Sequence, residues 1–305
     1  MLNTRAVAIP ERLVLPTLPD WIAAMPSETL EAMAFKSGAA LAHVTLVTAA
    51  DPVPQALWRD RLALAAAEVS AGIAGRREGT GAMRDALHLT KAGDDPGPAG
   101  SILRQWSRAV SRPISVSNLG RALEGVAPQR IALSLDATGP TPVDRAAQVI
   151  EAVLTDFPRG EVAALILADA ALSLALGRDH LLPLMGLVMT ARDLRLRGDD
   201  LRLCCHRAAV KGVGQALPLG STLARAAARL RAAVPKLRAK GAARAVEMFL
   251  SQDALTPVAL ARAMPESLSA PSLSDRAARR LCERLVELGV LRELTGRDTF
   301  RLYGV

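Results

Sequence analysis

The sequence predicts a mainly α-helical protein: an orthogonal multi-helix array followed by a C-terminal winged helix-turn-helix that ends in one β-hairpin. Three observations carry this reading. Half of the 305 residues are apolar but only 3% are aromatic, so the core must be built from Ala, Leu and Val, and Ala and Leu cost least in helical conformation. Short breakers, "GDDPGPAG" (93–100), "TGPTP" (138–142) and "FPRG" (157–160), separate segments of helical length. Only the closing stretch "LRELTGRDTFRLYGV" (291–305) reads as strand, turn, strand.

Taken in order, residues 1–26 form an extended, proline-punctuated arm, 27–217 a helical domain, 218–234 a basic connecting helix and 235–305 the winged helix domain. Ser27 is placed as an N-cap with Glu28 and Glu31 in the first turn behind it. Helices are expected over 28–49, 54–74, 81–89, 101–111, 117–125, 143–157, 161–176, 180–194, 201–216 and 222–233. Trp58 and Trp106 lie on apolar stripes and read as packing residues. "RPISVSNLGRAL" (112–123) has the short-helix look of a helix-turn-helix entrance, but no clear recognition helix follows it.

In the last part, Pro235 opens a helix through "KLRAKGAARAVEMFLSQ", and Thr256 with Pro257 caps a second helix over 258–264. Ser274 caps a third, with Asp275 at its positive end. That helix carries Ala278, Leu281, Leu285 and Leu288 at three- and four-residue intervals and stops at Gly289. Alternation places Phe300 and Leu302 on one face of the hairpin and Arg301 and Tyr303 on the other. An isolated hairpin is marginal in water, so Leu291, Leu294, Phe300 and Leu302 are expected to cover the helices as the wing.

The net charge of +8 is unevenly placed. Residues 1–206 hold 21 Lys/Arg against 22 Asp/Glu, 207–246 hold 9 Lys/Arg and no acid, and 247–305 hold 8 of each. An acid-free segment creates a positive field that attracts phosphate backbones. The bland reading of that segment is a solvated helix face that pairs with the acids of the first region. The N-terminal prolines break any signal-peptide stretch, no apolar run reaches the roughly 20 residues that span a bilayer, and three cysteines form no disulfide framework. A cytoplasmic location without membrane partners follows as the expectation.

In a winged helix on DNA, the third helix enters the major groove and the wing reaches an adjacent groove or phosphate. Arg276, Arg279, Arg280 and Arg284 on the third helix and Arg297 at the wing tip are therefore the candidate reading groups. Lys236, Arg238, Lys240 and Arg244 are the candidate phosphate contacts. The function expected is DNA binding, as a transcriptional regulator or plasmid-associated factor, with a homodimer a reasonable state. The alternative is a helical scaffold for a protein partner, with the winged helix as its docking module.

A third reading is a hydrolase or transferase using Asp179, His180, Asp199, Asp200 and His206 with Cys204 and Cys205. Capping, ion pairing and a buried thiol pair explain the same residues. There is no phosphate loop, no Gly-x-Ser-x-Gly and no His-Glu-x-x-His. His43 and His88 stand alone in helical contexts. No catalytic residue, metal or cofactor is assigned.

The stretch "LCERLVELGVLRELTGRDTFRLYG" (281–304) resembles the winged-helix tail that follows the catalytic domain in Fic-type AMP-transferring proteins. The His-Pro-Phe and Gly-Asn-Gly-Arg signature of that family has no counterpart here, so AMP transfer is not implied. Over nearly the whole chain, "ARDLRLRGDDLRLCCHRA" (191–208), "PKLRAKGAARAVEMFL" (235–250) and "SDRAARRLCERLVELGVLRELTGRDTFRLYGV" (274–305) are similar to a family of rhizobial-type alphaproteobacteria, the domain-of-unknown-function family numbered 1403. That resemblance implies no activity, substrate or cofactor.

Overall fold

A computed structural model describes residues 15–24, 29–49, 52–90, 93–237, 241–263, 273–297 and 299–305. Among them the chain is mainly helical, with thirteen α-helices and one two-stranded sheet. It divides into two compact units, Pro16–Ala49 with Arg59–Pro218, and Met1–Leu15 with Ala50–Trp58 and Leu219–Val305. No helix of the described residues is long and apolar enough to cross a membrane.

The larger unit contains α1 (Asp20–Ala23), α2 (Leu30–Thr48), most of α3 (Gln55–Ile73), α4 (Thr80–Leu89), α5 (Gly97–Ser111), α6 (Val116–Ala122), α7 (Pro128–Leu135), α8 (Pro142–Asp156), α9 (Glu161–Ala175) and the first part of α10 (Gly198–Ala233). Local chemistry starts several of them. The Thr29, Ser115 and Thr141 hydroxyls accept the amides of Ala32, Asn118 and Asp144, which would otherwise lack partners at the helix start. Pro128 and Pro142 open α7 and α8, where a missing N–H does no harm. Met33, Leu62, Met83, Trp106, Ile131, Ile150 and Leu165 are fully buried. The Trp106 indole donates to the Ser70 hydroxyl at 3.0 Å, so the polar edge of the core tryptophan is satisfied.

Two expectations fail in this unit. The helix predicted over 180–194 is absent: this stretch is irregular, apart from a short 3-10 turn at Asp193–Arg195, yet Leu181 to Leu187 are buried. Side chains of α9 replace the missing helical bonds. Asp169 accepts the Met185 and Gly186 amides at 2.9 and 3.0 Å, and the Ser173 hydroxyl accepts the Leu182 amide at 3.0 Å. A buried backbone needs such partners whatever its conformation. The second failure is the break predicted between 201–216 and 222–233: α10 runs through it with Pro218 inside the helix. A single proline removes one donor and strains one turn, and the Ala- and Leu-rich flanks carry the helix across. Asp20–Ala23 forms a helical turn where an extended arm was expected, and α7 was not foreseen.

The smaller unit holds the end of α10, a 3-10 turn at Val234–Lys236, α11 (Ala242–Phe249), α12 (Pro257–Arg262), α13 (Asp275–Glu287), β1 (Arg292–Glu293) and β2 (Tyr303–Gly304). The helix expected from Pro235 begins only at Ala242, after Gly241 at φ 92°. Thr256 and Ser274 cap α12 and α13 as expected, through the amides of Ala259 and Ala277, and Gly289 follows α13 at φ 67°. α12 and α13 pack together over the buried side chains of Leu260, Leu281 and Leu285.

The terminal hairpin is shorter than predicted, with Arg292 paired to Gly304 and Glu293 to Tyr303. Leu302 and Leu291 are buried as expected, but Phe300 is 76% exposed at φ 57° and Tyr303 is buried. The left-handed turn at Phe300 breaks the two-residue alternation on which the predicted faces rested.

Candidate nucleic-acid interface

The smaller unit brings its last elements into one ladder. The Leu255 amide donates to the Tyr303 carbonyl at 2.9 Å, and the Tyr303 amide donates back to Leu255 at 2.9 Å. Leu255 lies between α11 and α12, so β2 is paired to it on one side and to β1 on the other. The chain order is helix, bridging residue, helix, helix, strand, strand. The β1–β2 connection is closed by the Glu293 carboxylate, which accepts the Thr295 amide, the Thr295 hydroxyl and the Gly296 amide. Burial pushes the Glu293 carboxyl up, but those donors outweigh it and hold its pKa below the ordinary range.

The exposed arc of α13 is formed by Arg276, Arg279, Arg280, Glu283, Arg284 and Glu287. Its charges are divided along the helix. Arg284 is paired with Glu287 at 2.9 Å, whereas Arg276, Arg279 and Arg280 carry no ion pair among the described residues. The free cations thus occupy the N-terminal half of the helix. Arg276 lies in the first turn, where the helix dipole disfavours positive charge; local stability does not account for an arginine there. Arg297 is exposed in the hairpin turn, and its carbonyl accepts the Arg301 guanidinium at 2.9 Å.

The predicted phosphate contacts divide. Lys236 is exposed at the end of the 3-10 turn. Arg244 is exposed and donates to the Ala263 carbonyl beyond α12 at 3.1 Å; a carbonyl partner leaves its charge intact. Arg238 and Lys240 lie outside the described residues. Of the acid-free segment, Arg231 is neutralised by two bonds to Glu247, at 2.9 and 3.2 Å, and Arg229 donates to the Gly289 carbonyl at 2.5 Å. The end of α10 therefore grips both α11 and the C-terminus of α13. Sequence reasoning passed over Arg262 and Arg292, both exposed and without an ion pair among the described residues; an exposed cation next to α13 or β1 was the signal available.

The alternative polar cluster lies in the larger unit; Cys205 and His206 are buried, His180 and Cys204 are half-buried, and Asp179, Asp199 and Asp200 are exposed. Asp144 accepts from the Thr141 hydroxyl and from Arg202 Nε, at 2.7 and 2.8 Å, and Arg202 also holds Asp199 at 2.7 Å. His206 has its Nε2 3.7 Å from Asp144 Oδ1 and its Nδ1 2.7 Å from Ser37 Oγ. Ser, His and Asp are thereby aligned as in nucleophilic catalysis, but Ser37 is 1% exposed and no substrate can reach its oxygen. The Ser37 hydroxyl also contacts the Ala34 carbonyl at 3.0 Å. Burial lowers the His206 pKa against the pull of Asp144, so the ring is neutral and the arrangement binds α2, α8 and α10 together. Asp179 and His180 pair with each other at 2.8 Å, away from His206 in the hydrogen-bond network. Burial pushes the Cys204 thiol up to about 12. No group of three or more His, Cys, Asp or Glu among the described residues could hold a metal ion.

No curated protein and no solved structure matches the chain. The family model described as "Protein of unknown function (DUF1403)" matches residues 7–305. The protein is a member of the DUF1403 family.

Proposed function

We propose that the C-terminal part is a winged helix-turn-helix that binds DNA, with α13 as the recognition helix. The observation that carries this reading is the free arginine face of Arg276, Arg279 and Arg280 at the N-terminal end of the third helix. N-terminal residues of a recognition helix are those that meet base edges, and arginine reads guanine bidentately. The order of α11, Leu255, α12, α13, β1 and β2, with Leu255 and β1 flanking β2, supports the winged plan. Lys236, Arg244, Arg262, Arg292 and Arg297 supply further positive charge, with the wing tip at Arg297 as a backbone contact.

The test is a mobility shift of the full chain on mixed genomic fragments at two salt concentrations, with sequencing of what is retained. Three phosphate contacts per module give a log–log salt slope near −2.7, or about a 40-fold loss of affinity between roughly 50 and 200 mM salt. Replacing Arg276, Arg279 and Arg280 together by Ala should abolish any enriched motif, while the salt dependence supplied by the phosphate-contacting cations remains. Absent binding at low salt, or a triple variant that retains the wild-type motif, refutes the assignment. The second reading, a protein-docking module, has one observation in its favour, the exposed Phe300 in the hairpin; its expected signature is binding lost on Phe300→Ala and kept in the triple arginine variant.

A further inference from the structure

A surface helix ordinarily carries an apolar stripe toward the core and charge toward water. α2 departs from that rule. Met33, Ser37, Ala40, Leu41, Val44 and Thr48 form its buried face. The opposite arc, Ala32, Phe35, Gly38, Ala42, Leu46 and Ala49, is exposed and uncharged; Glu31, one turn before Phe35, is the one exposed charge on this side of the helix, at its N-terminal end. The one cation of the helix, Lys36, donates to the Ala24 carbonyl at 2.7 Å. Trp21 of α1 stacks on Phe35 with ring centroids 5.7 Å apart. Trp21, Phe35 and Leu46 are 52%, 69% and 76% exposed, three of the seven large apolar side chains left open among the described residues. Large apolar side chains on the outer side of a surface helix mark a face that a partner covers.

We propose that this face is the interface of a homodimer, with α2 of one copy packed antiparallel on α2 of a second. Phe35 and Leu46 stand at the two ends of the stripe, with Gly38, Ala39 and Ala42 between them. A twofold axis over the middle sets Phe35 of each copy beside Leu46 of the other, while the small residues let the helices approach closely. The same patch supplies both halves of the contact, as an isologous interface requires. With side chains of about 150–250 Å², the three large residues expose roughly 400 Å² per copy. Pairing thus removes roughly 800 Å² before the alanines are counted, against about 1,200–2,000 Å² for a stable interface. The arc carries no charge between Phe35 and Leu46, and its one flanking charge, Glu31, is acidic, which disfavours nucleic acid or an acidic partner there. This inference stands independently of the DNA-binding reading.

Sedimentation of the full chain from about 1 to 100 μM should reveal a reversible dimer, and Phe35→Asp with Leu46→Asp should weaken it at least ~100-fold, as for central apolar anchors. Both side chains are mostly exposed, so at a concentration where the wild type is monomeric the thermal midpoint should stay at the wild-type value. Ala42→Cys, close to the axis, should give an oxidised covalent dimer that the wild type does not form. A wild-type chain that is monomeric at 100 μM, a double variant as dimeric as the wild type, or an Ala42→Cys variant that fails to cross-link overturns the proposal. Because the readout is mass, it is separate from any result on DNA.

Discussion

Alanine in place of Gly212 and of Gly214, two residues apart on α10, should change stability in opposite directions. Alanine is favoured over glycine in a helix by about 1 kcal/mol, so propensity alone makes both substitutions stabilising. A Cβ at Gly214 meets nothing within 4 Å, and Gly214→Ala should stabilise by about 0.5–1 kcal/mol. A Cβ at Gly212 would lie 2.4 Å from the Leu184 carbonyl oxygen and 2.8 Å from its carbon, roughly 1 Å inside normal contact. The obstacle is backbone, and Asp169 anchors it through the next two amides. Overpacking of this kind costs about 1–3 kcal/mol, which leaves Gly212→Ala destabilised by up to about 2 kcal/mol after the propensity gain. For a unit of this size each kcal/mol moves the thermal midpoint by about 2–4 °C. Thermal and urea melts of the full chain by circular dichroism at 222 nm should therefore show a rise for Gly214→Ala and a fall of up to about 4–8 °C for Gly212→Ala. A rise in both would refute the packing argument and put the close approach at Leu184 in error.

Two further predictions come from buried groups. The native state resists protonating His206, whose pKa is lowered by burial, whereas the unfolded chain takes up that proton below about pH 6.5. Wild-type stability from this group is present near neutrality and lost as the pH falls. The gap in urea midpoint between wild type and His206→Gln should accordingly narrow from pH 7 to pH 5, and a constant gap would mean the ring is solvated. Burial pushes Cys204 and Cys282 each up to about 12, and Cys205 is buried as well. A thiol reagent at pH 8 should label Cys205 and Cys282 of the native chain far more slowly than in urea; prompt labelling of either in the native form would refute its burial.

Helices with local signals were legible in the sequence. Thr256, Ser274 and Gly289 mark their boundaries within a residue or two, because capping and termination are decided by neighbours a few positions away. The stretch 180–194 misled because its apolar run has helical spacing, while the acceptors that hold it irregular, Asp169 and Ser173, lie 9 to 17 positions upstream. Ser37, Asp144 and His206 were not seen as a group, since Ser37 and His206 are 169 positions apart and only the tertiary fold joins them. For the arginine face of α13, the sequence identified the residues, but not that Arg284 would be neutralised while Arg276, Arg279 and Arg280 carry no ion pair among the described residues. Phe300 was misassigned because one residue of positive φ reverses the facing of a strand.

The buried irregular stretch from Leu181 to Leu187 also determines where this chain can accept foreign sequence. Loops ordinarily take up tags, insertions and protease cuts because they lie in water. Here the connection between α9 and α10 is lined by core side chains and held by hydrogen bonds that the Met185 and Gly186 amides donate to Asp169, so a peptide inserted after Pro183 would have to displace the interior. The exposed residues Gly93, Asp94 and Asp95 before α5 offer the opposite case. An affinity tag or split-reporter junction placed there leaves the packed unit untouched, whereas the same junction at Pro183 amounts to a core mutation.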